Sequence, residues 1–554
     1  MSRRRTGQGL GPLGWSALGI ALLFSIPILS VLSSLFTPSE GTWAHLASTV
    51  LPGYVLNTTI LLFGVGIGAA VIGTGTAWLV TMCRFPGCRI FEWMLILPLA
   101  VPAYVMAYTY TDFLQVSGAF QSSLRALTGW QYGDYWFPSV RSLGGAVAML
   151  ILVLYPYVYM LARAAFLEQS ACALEVSRTL GCSPWATFRR VALPLARPAI
   201  AAGTALVLME TLADYGTVSF FGVPTFTTGI VRSWFAFGDR VSAAQLSSIL
   251  LAFVFAVLLF ELWSRGPARY HHTSIRYQQL PHMDLSGWRA ALAILACVFP
   301  IIFGFLLPGA ILLDMAIDGG AGQFSNRYYS LVGNTVILAS VTAVFAVALA
   351  LIMAYGVRQH ANRWTRLANR VASMGYAIPG TVIAVGVLIP FATFDNALDG
   401  WMRQTFDIST GLLLTGGIAA LVFAYLVRFL AVSVNTVEAS LGKIKPSMDE
   451  AARTLGKGPG ATLMRVHAPL MWGSLLTALL MVFVDVMKEL PATLVMRPFN
   501  FDTLAVEAHN FAADERLAQA ALPSLTIVAV GIPPLIILSR AISQSRPGKS
   551  APRT

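Results

Sequence analysis

Long apolar segments separated by polar ones recur along the whole chain of 554 residues. Each apolar segment is about 20 residues long, the length that an α-helix needs to cross the hydrocarbon core of a bilayer. The segments are centred near residues 25, 68, 103, 154, 209, 254, 300, 344, 381, 423, 483 and 531. This pattern predicts an all-α, polytopic membrane protein with about 12 transmembrane helices.

Composition and charge support this prediction. Hydrophobic residues make up 56% of the chain and charged residues only 11%, which excludes an ordinary soluble domain. The formal net charge is +12, and a cytoplasmic N-terminus would place most of the 37 Lys and Arg residues on the inner side of the membrane. We therefore expect both termini to be cytoplasmic. The basic excess follows from orientation in a lipid bilayer, and no nucleic acid partner is needed to explain it.

Two polar segments about 275 residues apart carry the same motif. The first reads Glu175-Val-Ser-Arg-Thr-Leu-Gly181 and is followed, after nine residues, by a hydrophobic stretch that ends in Pro194. The second reads Glu450-Ala-Ala-Arg-Thr-Leu-Gly456 and leads in the same way to Pro469. The repetition predicts a pair of docking elements on one side of the membrane. The alternative is a pair of surface helices that only pack on the bundle and were copied when the gene duplicated.

The rest of the chain repeats in the same register. Asn57-Thr-Thr-Ile-Leu61 corresponds to Asn334-Thr-Val-Ile-Leu338, for example. Six spans per half is an even number, so the halves are predicted to be parallel six-helix repeats about an axis along the membrane normal. We expect an N-terminal half at residues 1–270, a cytoplasmic linker at 271–288 and a C-terminal half at 289–554.

The second motif has the signals of a well-defined short helix. Ser447 is a favourable N-cap, and Glu450 three residues later would complete a capping box. Gly456 and, in the first copy, Gly181 are suited to a left-handed stop after one or two turns. A proline beyond each motif fits the start of a helix at the membrane surface.

The paired motifs resemble the cytoplasmic coupling loop of ABC importer permeases. The chain as a whole resembles the ferric-iron permeases in which two permease halves are fused, and the segments 213–217 and 488–499 support that narrower resemblance. It implies a fold like that of the methionine importer permeases. It also implies two copies of a cytoplasmic ABC ATPase, a periplasmic substrate-binding protein and a multi-pass location in the bacterial inner membrane.

The same resemblance implies which residues couple the chain to the ATPases. They are Glu175, Gly181, Pro194, Glu450, Ala451, Ala452, Gly456 and Pro469. The first copy departs from the family pattern, because Val176 and Ser177 stand where two alanines are usual. We expect a less tight fit to the ATPase at that copy.

Five charged residues fall inside predicted spans, where charge is costly and usually faces water or a partner. They are Glu210, Asp214, Asp485, Lys488 and Glu489. The spacing of four places each acidic pair on one helical face. These residues line a cation path or gate in one interpretation, and form structural ion pairs in the other.

Aromatic and loop segments suggest further sites. Tyr104, Tyr108 and Tyr110 lie near a span end, where tyrosine usually anchors a helix at the membrane interface, although tyrosinate also binds ferric iron. The segments 223–244 and 498–520 are predicted to form short external helices that meet the binding protein. The segment 116–142 is a second candidate surface or an interfacial re-entrant piece.

The sequence predicts a transport subunit and not an enzyme. No GxxxxGK[ST] loop is present, so ATP is expected to be used by a separate subunit, with no cofactor bound by this chain. The seven histidines are scattered and give no firm metal site. Ferric iron is the favoured substrate. Polyamine, thiamine, phosphonate or sulfate import and a proton-coupled secondary transporter remain as alternatives.

Overall fold

The computed structural model of the protein describes residues 11–38, 42–168, 177, 179–181, 183–265, 283–319, 324–359 and 362–544. Regular structure in these ranges is helical apart from two strands of two residues each. Cys83–Arg84 pairs in parallel with Met283–Asp284. The prediction of an all-α fold is confirmed.

Ten helices are long and apolar enough to cross a membrane within the described part of the chain. They are Pro12–Phe36, Leu51–Met82, Leu143–Leu167, Trp185–Ala213, Arg240–Ser264, Gly287–Asp318, Asn326–Gln359, Gly380–Phe406, Ala419–Leu441 and Leu517–Ile537. Two further pairs, Cys88–Ala100 with Ala103–Thr128 and Pro459–Leu470 with Trp472–Met487, are bent by 90° and 82°. The described spans number twelve if each bent pair counts as one, as the apolar pattern predicted.

The chain forms two compact units. Unit 1 comprises Met1–Trp43, Ile230–Leu251 and Ser325–Val506, and unit 2 comprises Ala44–Gly229, Ala252–Phe324 and Glu507–Thr554. Each unit thus combines the middle of one sequence half with segments of the other half. The predicted halves 1–270 and 289–554 describe the repeat in the sequence. As a division of the structure into domains they stay a prediction. Most of the predicted linker lies outside the described residues.

Unit 1 is built around three mutually packed helices, Asn326–Gln359, Ala419–Leu441 and Trp472–Met487. The first helix of the chain, Pro12–Ser33, packs along Gly380–Phe406 in the same unit. Its close approach depends on Gly386, where a Cβ atom would lie 2.4 Å from the carbonyl oxygen of Pro27. Any larger residue there would push the two helices apart.

Unit 2 has the equivalent core, made of Leu51–Met82, Leu143–Glu168 and Leu193–Ala213. Another pair of helices, Leu307–Asp318 and Leu517–Gln544, pack on one another in this unit. The three core helices of unit 2 and those of unit 1 are the same segments of the sequence repeat.

Side-chain contacts repeat together with the core helices. The Asn57 side-chain amide donates to the carbonyl oxygen of Pro224 at 2.9 Å in unit 2, and Asn334 donates to that of Asp502 at 3.0 Å in unit 1. These asparagines belong to the repeated sequence Asn-Thr-x-Ile-Leu. The sequence repeat is therefore a repeat of local structure.

Shorter elements connect the spans. The remaining helices are Thr42–Thr49, Cys88–Met94, Ala103–Leu114, Ala119–Thr128, Pro184–Thr187, Gly216–Phe220, Phe226–Phe235, Arg363–Ser373, Pro446–Thr454, Pro459–Thr462, Ala468–Leu470, Pro491–Met496 and Leu504–Ala513. Two of the spans contain the helices Arg240–Arg265 and Gly287–Ile301. The 3₁₀ turns are Ser34–Phe36, Leu97–Ala100 and Met374–Ala377, and the π turns are Phe188–Ala192, Ile302–Leu306 and Leu463–His467.

Candidate functional site

The second motif forms a helix at Pro446–Thr454, which we call the motif helix. Its N-cap is Lys445, and no side chain caps the first turn. The predicted Ser447 cap is wrong, because Pro446 fits the first helical position and starts the helix one residue earlier. The predicted stop at Gly456 is confirmed, since its φ is +70°. The Lys457 amide donates to the carbonyl of Ala452 at 3.0 Å, which completes a Schellman closure.

The motif helix is fixed to the core of unit 1 by Arg358, at the end of helix Asn326–Gln359. The Arg358 guanidinium donates to the Asp449 carboxylate at 2.6 and 2.9 Å, and both side chains are 15% exposed. It also donates to the carbonyl oxygens of Leu441 and Ile444, at the end of helix Ala419–Leu441 and just beyond it. One side chain thus joins the motif helix to two core helices.

A histidine also belongs to this cluster. His467 Nε2 lies 3.0 Å from Asp449 Oδ1, and its imidazole is fully buried edge-on against the Tyr355 ring. A cavity of about 470 Å³ opens beside the cluster and is lined in part by Arg358, Asp449 and Glu450. Asp449 is therefore bound by Arg358 and lies next to His467, while Glu450 is exposed.

The two faces of the motif helix differ in character. Ala452 is buried, whereas Glu450 and Ala451 are exposed. Just beyond the helix the Leu455 side chain is 76% exposed. The exposed face of the helix and Leu455 form a surface suited to a protein partner.

The first motif is described only in part. Glu175 lies outside the described residues, and so does most of the preceding segment. Gly181 has a φ of +77°, as predicted for a left-handed stop, and Leu180 is 77% exposed, like its counterpart Leu455. Ser177 is buried and shares a 3.1 Å hydrogen bond with Thr187. The serine that departs from the family pattern therefore faces inward and is satisfied there.

Each motif leads into a π turn before its proline. The turns are Phe188–Ala192 and Leu463–His467, ahead of Pro194 and Pro469. Because proline has no amide hydrogen and its ring crowds the preceding turn, the helix widens there. Pro194 lies in the first turn of helix Leu193–Ala213, as predicted, and the π turn Phe188–Ala192 directly precedes that helix.

The charged residues of the spans do not lie on two continuous helical faces, as the spacing of four predicted. Helix Leu193–Ala213 ends before Asp214, and helix Trp472–Met487 ends before Lys488 and Glu489. Only Glu210 and Asp485 are helical. The reason is that new short helices begin at Gly216 and Pro491.

Asp214 and Glu489 cap these short helices. Asp214 accepts from the Thr217 hydroxyl at 2.9 Å and from the Val218 amide at 3.1 Å. Glu489 accepts from the amides of Ala492 and Thr493 at 3.0 and 3.1 Å. Carboxylates at helix N-termini satisfy free amides and favour the helix dipole. The equivalent acids of the two halves thus have the same local role.

Two ion pairs in unit 1 involve the predicted path residues. Asp485 pairs with Lys488 at 2.8 Å. Glu489 pairs with Arg428 at 2.9 Å, and both side chains are buried. Sequence reasoning missed Arg428, although an arginine in the apolar run 419–431 was a visible signal. At Glu489 the geometry favours the structural interpretation, and a role of these residues in a transport path stays a prediction.

The predicted interface anchors of the third apolar segment are wrong. Tyr104, Tyr108 and Tyr110 are all buried within unit 2 and not at a lipid-facing edge. The Tyr110 hydroxyl donates to the carbonyl of Phe303 at 2.6 Å, while Tyr108 Oη lies 2.7 Å from Nδ1 of His509. Burial lowers the pKa of His509 to about 4, so this imidazole is neutral at physiological pH.

Sequence comparison finds that the chain is similar to a class of transport proteins. Residues 69–265 match the family described as binding-protein-dependent transport system inner membrane component. The resemblance to ABC importer permeases, predicted from the paired motifs, is confirmed. This family is one of transport components.

Similar proteins are named for different substrates. The Fe(3+)-transport system permease protein FbpB 2 of Haemophilus influenzae is 26% identical, over 87% of this chain and 89% of its own. The sulfate transport system permease protein CysT of Salmonella typhimurium is 29% identical over 45% of this chain and 89% of its own length. The molybdenum transport system permease protein ModB of Escherichia coli is 28% identical over 34% and 81%.

The comparisons support an ABC importer permease. The apolar helices and the family together indicate a multi-pass protein of the inner membrane. The family in general works with an ATPase and a periplasmic binding protein. Among the described residues of this permease, no group of three or more His, Cys, Asp and Glu side chains is placed to hold a metal ion.

Proposed function

We propose that this permease imports ferric iron delivered by a periplasmic binding protein, with energy from separate ATPase subunits. One observation carries the choice of substrate. The relative named for Fe(3+) transport aligns along 87% of the chain and thus along both halves, whereas those named for sulfate and molybdenum align along 45% and 34%. The fused two-half organisation is shared with the iron-named relative.

Coupling to the ATPases takes place at the two motifs, in this proposal. Leu180 and Leu455 supply matching exposed apolar contacts, and Gly181 and Gly456 hold the turns that present them. Two such elements in one chain require two copies of the ATPase. Glu175 and Glu450 are assigned to the same docking surfaces, together with Ala451.

The second motif transmits movement through rigid contacts. The motif helix packs through Ala452, and Arg358 ties it to helices Asn326–Gln359 and Ala419–Leu441. A displacement of the motif helix by a closing ATPase is therefore passed to the core of unit 1. Pro194 and Pro469 stand where each motif segment joins the next membrane helix.

The binding protein meets the opposite side of the membrane. The segments 223–244 and 498–520 contain the helices Phe226–Phe235 and Leu504–Ala513, in agreement with the expected short helices. In the segment 116–142, Tyr132 and Trp136 are strongly exposed. With this orientation both termini are cytoplasmic. The chain binds no cofactor, and ATP is bound only by the partner.

An oxyanion importer is the second candidate function, because the relatives named for sulfate and molybdenum are 28–29% identical over their aligned parts. The carboxylate of Asp214 disfavours an anion route, since a carboxylate repels an anion at low dielectric. Asp485 and Glu489 add little to this argument, because their charges are offset by Lys488 and Arg428. No feature of the described structure favours the import of polyamine, thiamine or phosphonate. None favours a proton-coupled secondary transporter either.

Uptake of radiolabelled ferric iron in cells with and without the gene tests the substrate, with sulfate and molybdate measured in parallel. Loss of iron uptake alone on deletion supports the proposal. Unchanged iron uptake with lost sulfate or molybdate uptake replaces it by the oxyanion function. Leu455→Asp tests coupling, and Leu127→Asp, at another strongly exposed leucine, is the control. Only the first variant is expected to lose co-purification with the ATPase.

A further inference from the structure

A buried pair of polar side chains in unit 2 has no role in the coupling scheme. Tyr108 lies on helix Ala103–Leu114 and His509 on helix Leu504–Ala513. Their side chains are 3% and 8% exposed, and Tyr108 Oη lies 2.7 Å from His509 Nδ1. The two residues are 401 positions apart in the chain, so only the fold brings them together.

Further oxygen-bearing side chains surround this pair. The rings of Tyr104 and Tyr108 are 5.8 Å apart, and those of Tyr215 and His509 are 5.7 Å apart. Asp214 is close enough for its charge to act on the Tyr108 phenol. The pair is thus set among two more phenols and a carboxylate.

The nearby positive charge is separated from the pair and partly neutralised. The Arg141 guanidinium lies over the ring of Phe220, at 4.8 Å from its centre, and Phe220 in turn packs edge-on against Tyr108. Arg141 also pairs with Glu515 at 3.2 Å. Phe220 thus contacts both this cation and the phenol.

Tyr110 shows how a purely structural tyrosine is held in the same helix. Its hydroxyl donates to a backbone carbonyl, that of Phe303. Tyr108 instead meets an imidazole nitrogen, and both are groups that bind metals. In the structure the two groups share a hydrogen bond of 2.7 Å, and a bound cation would replace its proton.

We propose that Tyr108 and His509, with Asp214 and Tyr215 beside them, form a binding site for ferric iron as it crosses this permease. The inference rests on the proposed substrate and adds the residues that receive it. On binding, the Tyr108 hydroxyl loses its proton to solvent, and the phenolate oxygen and the neutral imidazole each donate an electron pair to the cation. Iron stays ferric throughout, so no reductant is needed.

Direct binding of iron to the purified full-length permease in detergent tests the site. Ferric citrate is added, and the visible charge-transfer absorption of phenolate bound to Fe³⁺ is recorded together with binding of radioactive iron. Tyr108→Phe removes only the hydroxyl and is expected to abolish the absorption and weaken binding about tenfold or more. Tyr110→Phe is the matched control on the same helix and should bind as the unchanged chain does.

The same variants are then assayed for iron uptake in cells. If Tyr108→Phe does not elute as a folded protein, His509→Gln replaces it in both measurements. Unchanged absorption and uptake in Tyr108→Phe would overturn the site and leave the iron importer standing. If deletion of the gene leaves growth on ferric iron and uptake of ferric iron unchanged, the proposed function is overturned. Absorption that Tyr108→Phe abolishes would then still support the site as a metal-binding one.

Discussion

Replacing Arg358 by alanine tests whether the motif helix is rigidly joined to the core of unit 1. The change removes two hydrogen bonds to Asp449 and those to the carbonyls of Leu441 and Ile444. Truncating one member of a buried ion pair costs about 3–5 kcal/mol, and an exposed pair contributes about 0–1 kcal/mol. At 15% exposure for both side chains, we expect the docking of the motif helix to weaken by about 2–3 kcal/mol.

Amide hydrogen exchange of the full-length permease measures this directly. A loss of about 2–3 kcal/mol corresponds to exchange about 30- to 150-fold faster in residues 446–454, since 1.36 kcal/mol is a factor of ten. Exchange in the core of helix Asn326–Gln359 should change little. Arg370→Ala is the control, because Arg370 is an exposed arginine of the same unit.

A double-mutant cycle with Asp449→Ala separates the pair from the other contacts of Arg358. Once the carboxylate is gone, the further change of Arg358 should cost clearly less than it does alone. Strictly additive effects, or exchange in residues 446–454 that stays within twofold in the single variant, would refute the reasoning. The motif helix would then be held mainly by the packing of Ala452.

Three further outcomes are expected. Glu489→Gln leaves the Arg428 cation buried without its counterion, so the free energy of unfolding should fall by about 3 kcal/mol. Denaturant resistance in detergent measures this loss. A second change, Arg428→Met, should restore part of the lost stability. Gly456→Ala forces a side chain into a φ of +70° and should destabilise the end of the motif helix by about 1 kcal/mol, seen as faster exchange there. Gly458→Ala, where φ is −70°, should not. Leu455→Ser should lower ATP hydrolysis by the assembled transporter without changing its thermal stability, and an unchanged rate would contradict its docking role.

Local rules and composition determined much of this protein from the sequence. The spans follow from the length of the apolar runs, because a helix satisfies its own backbone hydrogen bonds where the bilayer offers no water. The left-handed stops at Gly181 and Gly456 follow from a residue type with no Cβ atom. The paired motifs predicted the family, since each is short and continuous in sequence.

Helix ends were predicted less well, because competing signals lie within a few residues. Ser447 is a good N-cap in isolation, but Pro446 before it fits the first turn and starts the helix earlier. Asp214 and Glu489 were assigned to helical faces by their spacing of four, whereas each lies beyond its helix and caps the next one. The sequence alone does not reveal which of two adjacent helices a carboxylate serves.

The tertiary structure decided the contacts that give the site its chemistry. The sequence names Arg358 and Asp449 as charged residues 91 positions apart, and the packing of three helices makes them a pair. Tyr108 was placed at the membrane interface by its neighbours in sequence, yet the fold buries it against His509 from the other sequence half. Such pairs depend on how distant helices pack, and the energy of that packing is spread over many side chains that no local pattern identifies.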